Sequence, residues 1–320
     1  MKTSDLKITK KMKQPMVSII TPSYNAGAYI NECIESVLSQ DYSNIEHIIQ
    51  DGASTDNTVA ILKKYDLKHR GKMRWISKRD KGPVDAYNQA LLRSRGEIIL
   101  FLGADDALVP GAVSWGVGNM AKFPKAAAIY GDEYIIDERS RILKTFIPQS
   151  FHFIKLLCLE LVPPTEASFI RRSFFKKVGF YLDDSLKNAP DYELWLRISS
   201  KFPMMHVSGF VTRYRWHSQS QSRTPNLIDN FVYEKKQVMD RIFLSPQTAR
   251  EVKKFKKRAY IGLYFWAATM RMSYGAKYSA IKFLTRAFLL NPTKERYKEY
   301  LSFWKQAVKD YQDSVIISSK

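Results

Sequence analysis

The sequence predicts an α/β protein, a mostly parallel sheet covered by helices, followed by a helical and basic C-terminal region. Two observations carry this. From Met16 to Leu102, apolar runs of strand length alternate with amphipathic segments of helix length, the pattern of parallel strands joined by crossover helices. Beyond Leu227 such short runs cease, and Lys and Arg interleave with Phe, Tyr and Trp.

Met16–Ile20 is a buried strand, Thr21–Ala28 a loop, and Tyr29–Gln40 a helix with Ile30, Cys33, Ile34, Val37 and Leu38 on one face. Ile45–Gln50 is a second strand ending at Asp51-Gly52, after which Thr55 or Asp56 caps a helix running to Tyr65. Met73–Ser77, Val84–Arg93 and Glu97–Leu102 supply a third strand, a third helix and a fourth strand. After Gly103 the regularity loosens. Val109–Phe123 is a helix, Ala126–Tyr134 a strand, Arg141–Ile147 its antiparallel partner, and Tyr192–Lys201 a further helix. Ala280–Pro292 and Glu295–Val308 form a helical hairpin faintly similar to one tetratricopeptide unit. The expected division is 1–225 for the α/β part and 226–320 for the helical region.

Charge and cysteine content narrow the function classes. With 320 residues, 45% apolar and 26% charged, the chain suits one large domain with an appendage. Its two cysteines, Cys33 and Cys158, make no disulfide framework, and no Cys/His cluster suggests structural zinc. Residues 1–15 carry five lysines and one aspartate without a following secretory pattern. The apolar stretch Ala259–Met270 has 12 residues, too few to span a bilayer, so a cytoplasmic protein is expected. The net charge of +20 favours anionic partners, and residues 241–320 hold 17 Lys and Arg against 5 Asp and Glu, a surplus of 12. Interleaved there are Phe255, Tyr260, Tyr264, Phe265, Trp266, Tyr274 and Tyr278, which suits an anionic membrane surface or packing against the core. No nucleic-acid reader motif occurs, so nucleic acid is not an expected partner. The glycine fingerprint of nicotinamide enzymes and the phosphate loop GxxxxGK[ST] are both missing.

Acids collect at the strand ends of this basic chain: Asp51 and Asp56, Asp80 and Asp85, and the pair Asp105-Asp106. In parallel sheets that rim is where ligands sit. Adjacent acids after a buried strand suit a divalent ion that also takes phosphate oxygens, although Asp105-Asp106 also suits capping of the helix near Val109. Lys81 and Arg215 are candidates to neutralise phosphate charge, and His217 to bind the metal or the diphosphate. His47, His69, His152 and His206 carry no such pattern and are assigned to structure.

Taken in order, TPSYN, DGASTDNT, DKGPVDAYNQA, GEIILFLGADD, NAPDYELWLR and YRWHSQSQS resemble glycosyltransferase family 2, the inverting nucleotide-sugar transferases of the GT-A fold. The resemblance covers about residues 16–222. It implies a nucleotide-sugar donor, a UDP-sugar first on family grounds, and Mn²⁺ or Mg²⁺ as cofactor. Thr21, Pro22 and Tyr24 would line the nucleotide pocket, and Asp51 would meet the base. Asp85 and Asp105 would hold ribose or sugar hydroxyls, and Asp106 the metal. The family's Asp-x-Asp-Asp pattern is altered here, with Gly103 in the first position. The late Arg-x-His followed by spaced serines corresponds to Arg215, His217, Ser220 and Ser222. Asp191 matches the general base, with Glu193 as understudy, while Asp191 alone would also suit a helix cap. Thr165 and Glu166 are expected on the acceptor side. A saccharide or lipid-linked saccharide acceptor in surface polysaccharide synthesis follows from the resemblance. The rival class is a noncatalytic binder of nucleotide sugars or polyanions on the same fold.

Overall fold

The computed structural model describes residues 14–291 apart from 70, 219 and 221–224. Ser222, the lysine-rich segment 1–13 and the expected hairpin limb Glu295–Val308 lie outside the described residues.

Four parallel strands form the first half of the sheet: β1 (Val17–Ser23), β2 (Ile45–Asp51), β3 (Met73–Ser77) and β4 (Ile98–Phe101). Helices α1 (Ile30–Leu38), α2 (Thr58–Lys68) and α3 (Pro83–Arg93) connect them. Pro22 is tolerated in a central strand because pairing of β1 with β4 stops at Ile20–Phe101, so its missing N–H falls beyond the ladder. The remaining strands are β5 (Ala107–Leu108), β6 (Ala128–Ile136), β7 (Ile142–Phe146), β8 (Ser168–Arg171) and β9 (Met204–Arg215). The sheet runs β3-β2-β1-β4-β8-β6-β9-β5, with β7 paired antiparallel to β6 as expected for 141–147. β8 is antiparallel to both neighbours, whereas β6 and β9 are parallel. The register of β6 on β9 shifts around Asp132, whose carboxylate takes hydrogen bonds from His206 at 2.7 Å and Gly209 N at 2.9 Å.

Strand alternation splits the interior in two. Val17, Ile19, Ile98 and Leu100 face one apolar cluster, while Ile20, Ile99 and Phe101 face another. The second cluster continues into α7 (Pro190–Ser199) through Tyr192 and Trp195, then into the C-terminal helices α8 (Ile228–Leu244), α10 (Lys256–Ser273) and α11 (Lys277–Leu290). It therefore crosses the expected 225/226 division. Gly262 permits the close approach of α10, since a Cβ there would come 1.8 Å from the Cys158 carbonyl. The other helices are α4 (Ala112–Lys122), α5 (Phe153–Leu157), α6 (Arg172–Lys177) and α9 (Arg250–Lys253).

Two expectations on where a helix begins are corrected. The helix expected from Val109 begins at Ala112, because β5 intervenes and pairs with β9, so Asp105-Asp106 do not cap it. The helix expected from Tyr192 begins at Pro190 with Ala189 as N-cap, so Asp191 lies inside its first turn. Among the described residues α11, which covers most of the expected limb 280–292, turns back on α10 at Gly275 (φ 72°), where Ala276 N bonds the Arg271 carbonyl.

Candidate active site

The carboxyl ends of β1, β2 and β4 open on a cleft of about 1250 Å³ whose other walls come from residues 162–166, 187–191 and the end of β9. Pro22, Tyr24, Asp105, Asp106, Thr165, Glu166, Asp191 and His217 all line it. With residues 79–87 on a further side, seven sequence segments converge on the space at the carboxyl ends of the parallel strands.

The turn after β4 is fixed from two sides. The carboxylates of Asp105 and Asp106 fold back over Gly103, where a Cβ would meet Asp106 Oδ2 at 2.5 Å and Asp105 Oδ1 at 2.7 Å. Glycine in the first position of the motif therefore accommodates this turn. Asp105 Oδ2 lies 2.9 Å from His217 Nε2, and Asp106 Oδ1 accepts from Arg215 N at 2.8 Å. Asp106 is 2% exposed, and burial followed by the charges of Asp105 and Glu166 pushes its carboxyl well above the usual range. Glu133 rises to about 8 through burial and the charge of Glu166, partly offset by the Thr212 hydroxyl. Glu166 rises to about 7 through burial, with Asp191 and Asp105 adding repulsion against its own backbone hydrogen bond.

A cleft of mutually repelling acids in a basic protein suits a bound cation. Among the described residues no group of three or more His, Cys, Asp and Glu is arranged to hold a metal ion. The two expected ligands are placed differently, since His217 engages Asp105 while Asp106 engages the Arg215 backbone. Two carboxylates with an imidazole alongside fit a hard cation that keeps water and accepts phosphate oxygens, rather than one caged by protein alone.

Several expected donor-binding residues stand behind the cleft wall. Thr21 shares the inward face of Val17 and Ile19, is fully buried, and its hydroxyl meets His47 Nε2 at 2.9 Å. His47 is neutral there, its pKa lowered to about 3 by burial. Asp51 is also fully buried and accepts hydrogen bonds from Ser54 N at 3.0 Å, the Ser54 hydroxyl and Ser77 Oγ at 2.6 Å. Asp85 accepts from Lys81 N at 3.0 Å and Gln89 Nε2 at 2.9 Å, closing the turn before α3. The Lys81 side chain is exposed outside the cleft, whose wall is made by Arg79 and Asp80. Arg215, at 1% exposure, bonds the carbonyls of Asp105 and Asp137, the Ser140 hydroxyl and Glu32. It ties the loops together instead of facing a phosphate. Glu193 is turned away and paired with Arg197 at 2.8 Å.

Asp191 lines the cleft from the first turn of α7, and the next residue, Tyr192, is anchored by its hydroxyl to the Leu157 carbonyl at 2.8 Å. Glu133, Arg79 and Phe231 line the cleft without having been singled out from sequence, and Asp80, read there only as one of the rim acids, lines it as well. An acid inside an otherwise apolar strand, as in AIYGDEYII, was the available signal for Glu133.

A family model described as Glycosyl transferase family 2 matches residues 18–179. An uncharacterized glycosyltransferase of Rickettsia felis is 30% identical over 268 residues, covering 80% of this chain and 43% of that protein. A chondroitin synthase of Escherichia coli is 30% identical over 208 residues, covering 65% of this chain and 30% of the relative. The chain thus spans less than half the length of either. The fold is similar to that of S. aureus TarS residues 1–349 in complex with UDP, with TM-score 0.53 and 18% identity over 93% of this chain and 92% of that one. It is also similar to the mannosyltransferase PcManGT from Pyrobaculum calidifontis in complex with GDP-Man and Mn²⁺, with TM-score 0.60 and 17% identity over 96% and 87%. At those identities the likeness is one of fold.

Proposed function

The chain belongs to glycosyl transferase family 2 and has the GT-A fold, and from that premise we propose that it transfers a sugar, with inversion, from a UDP-sugar to a saccharide or lipid-linked saccharide. One observation carries the reading: the adjacent acids Asp105-Asp106 and the helix-borne Asp191 open on the same cleft. Pro22 and Tyr24 form the nucleotide wall, while Thr21, Asp51, Asp85 and Arg215 hold the loops behind it. Asp105 meets donor hydroxyls. Asp191 takes the acceptor hydroxyl's proton as that oxygen attacks the anomeric carbon, and the nucleoside diphosphate departs from the opposite face in a single displacement. Held by Asp105 and Asp106 beside His217, Mn²⁺ or Mg²⁺ would neutralise the diphosphate leaving group.

The UDP and GDP-Man named with the two similar structures support a nucleotide-sugar donor, and the chondroitin synthase relative supports a polysaccharide product. We assign 1–225 to catalysis and 226–320 to an appended region whose described helices, α8, α10 and α11, share its core. No described helix is long and apolar enough to cross a membrane. Tyr260, Tyr264, Trp266 and Tyr274 pack against the core, so an anionic-membrane role falls to exposed residues such as Lys256, Lys257 and Tyr278. Co-sedimentation with anionic and neutral vesicles at low and high salt tests that role.

Nucleotide release from UDP-sugars, measured with and without Mn²⁺, tests the activity. Metal-stimulated release in the wild type and weakened UDP binding in Asp106→Ala are expected. UDP binding without release from any donor would make the chain a binder.

A further inference from the structure

The walls of the cleft leave two charged residues of α8 unexplained, Glu234 at 8% and Lys235 at 5% exposure. Neither lines the cleft, yet both are buried where an amphipathic helix normally carries apolar side chains. Burying them costs free energy unless each is matched by partners.

Glu234 is matched by the segment that leads into α7. Its carboxylate accepts from the successive backbone N–H groups of Lys187 at 3.1 Å, Asn188 at 2.6 Å and Ala189 at 2.9 Å, and from Asn188 Nδ2 at 2.6 Å. Successive N–H groups around one anion form a nest. Ala189 is the N-cap of α7 and has no side chain able to cap it, and Glu234 meets its N–H and the two before it, which sets a carboxylate at the positive end of the helix. Two residues further on stands Asp191.

Lys235 is matched by rings and by charge. Its Nζ lies 5.0 Å from the ring centre of Tyr192, 5.0 Å from that of Trp266 on α10, and 5.9 Å from that of Phe231. Burial lowers its pKa, and the charges of Asp191 and Glu234 oppose that. A cation among three rings is held in place by the attraction of their faces.

We propose that Glu234 and Lys235 are positioning residues for Asp191: the carboxylate clamps the segment that enters α7, and the ammonium, seated against the ring of Tyr192, fixes the turn that aims the aspartate at the acceptor. This rests on the reading of Asp191 as the base. It also makes the helical region part of the catalytic unit, since both residues and Trp266 lie beyond 225.

The test uses the full chain and whichever of UDP-glucose, UDP-galactose, UDP-N-acetylglucosamine or GDP-mannose the wild type consumes. Lys235→Met keeps an apolar stem among the rings and removes the charge. It should loosen the turn that carries Asp191 and lower kcat about tenfold, with donor KM within about twofold. Lys235→Arg should recover most of the loss. In an Asp191→Asn background, Lys235→Met should lower kcat no further, because the carboxylate it serves is gone. Unchanged kcat, or a full additional loss in that background, would overturn the proposal. Amide hydrogen exchange at residues 187–189 gives a readout free of activity: Glu234→Gln should speed it about tenfold or more, since an amide is a poorer acceptor than a carboxylate. Exchange at the wild-type rate would overturn the clamp. A wild type that consumes no donor would refute the proposed activity, and the exchange result would still decide the clamp.

Discussion

His217 Nε2 lies 2.9 Å from Asp105 Oδ2 across 112 residues of sequence, joining the turn after β4 to the segment after β9. Arg215 reinforces the same junction through the Asp105 carbonyl at 2.7 Å and the Asp106 carboxylate at 2.8 Å. The acids expected to meet the donor are therefore oriented by residues from the far end of the α/β region.

Removing the imidazole should free Asp105 without disturbing the core. In His217→Ala we expect UDP affinity in the presence of Mn²⁺ to fall about tenfold by calorimetry, the loss of one charge-assisted contact. Affinity equal to wild type would exclude His217 from organising the donor site.

The crowded acids make stability depend on pH and metal. Glu133 and Glu166 rise to about 8 and about 7 from an ordinary value of 4.5. Between that value and their raised ones, the unfolded chain has released protons that the folded chain still holds, so stability falls as pH rises through this window and levels off above it. A divalent cation favours the ionised acids and should raise the melting temperature more at pH 8 than at pH 5.5. Equal metal-induced shifts at the two pH values would contradict this.

The Arg215 guanidinium should be costly to lose. Arg215→Met takes a donor from the Asp105 and Asp137 carbonyls and from Glu32, which keeps Arg213 at 3.0 Å and the Ser140 hydroxyl, and we expect about 3 kcal/mol of destabilisation in urea, the low end for a broken buried pair because Glu32 is partly exposed and retains those partners. A loss under about 1 kcal/mol would show that the loops hold without it.

The four strand ends and the start of α7 were legible because buried parallel strands are apolar runs, so the polar residues that terminate them stand out. Asp105 and Asp106 stood out that way, whereas Asp191 and His217 came from the resemblance, and all four line the cleft. Residues whose direction depends on strand phase or turn shape were harder to read. Thr21 falls on the inward phase of β1, and the turn before α3 presents Arg79 and Asp80 rather than Lys81. By charge alone Arg215 suits a phosphate, whereas its contacts with two separate loops and with Glu32 of α1 are a tertiary fact. Glu234 serves a segment 45 residues earlier, a distance over which no local periodicity speaks.

The central claim is that Asp191 acts as the base of an inverting transfer. The most direct measurement is turnover and UDP affinity of Asp191→Asn, with the wild-type donor and acceptor. An amide preserves the shape of the first turn of α7 but cannot take a proton, so turnover should fall about 10²-fold or more, the typical worth of a positioned base, with UDP affinity unchanged. Turnover within a few-fold of wild type would contradict the account.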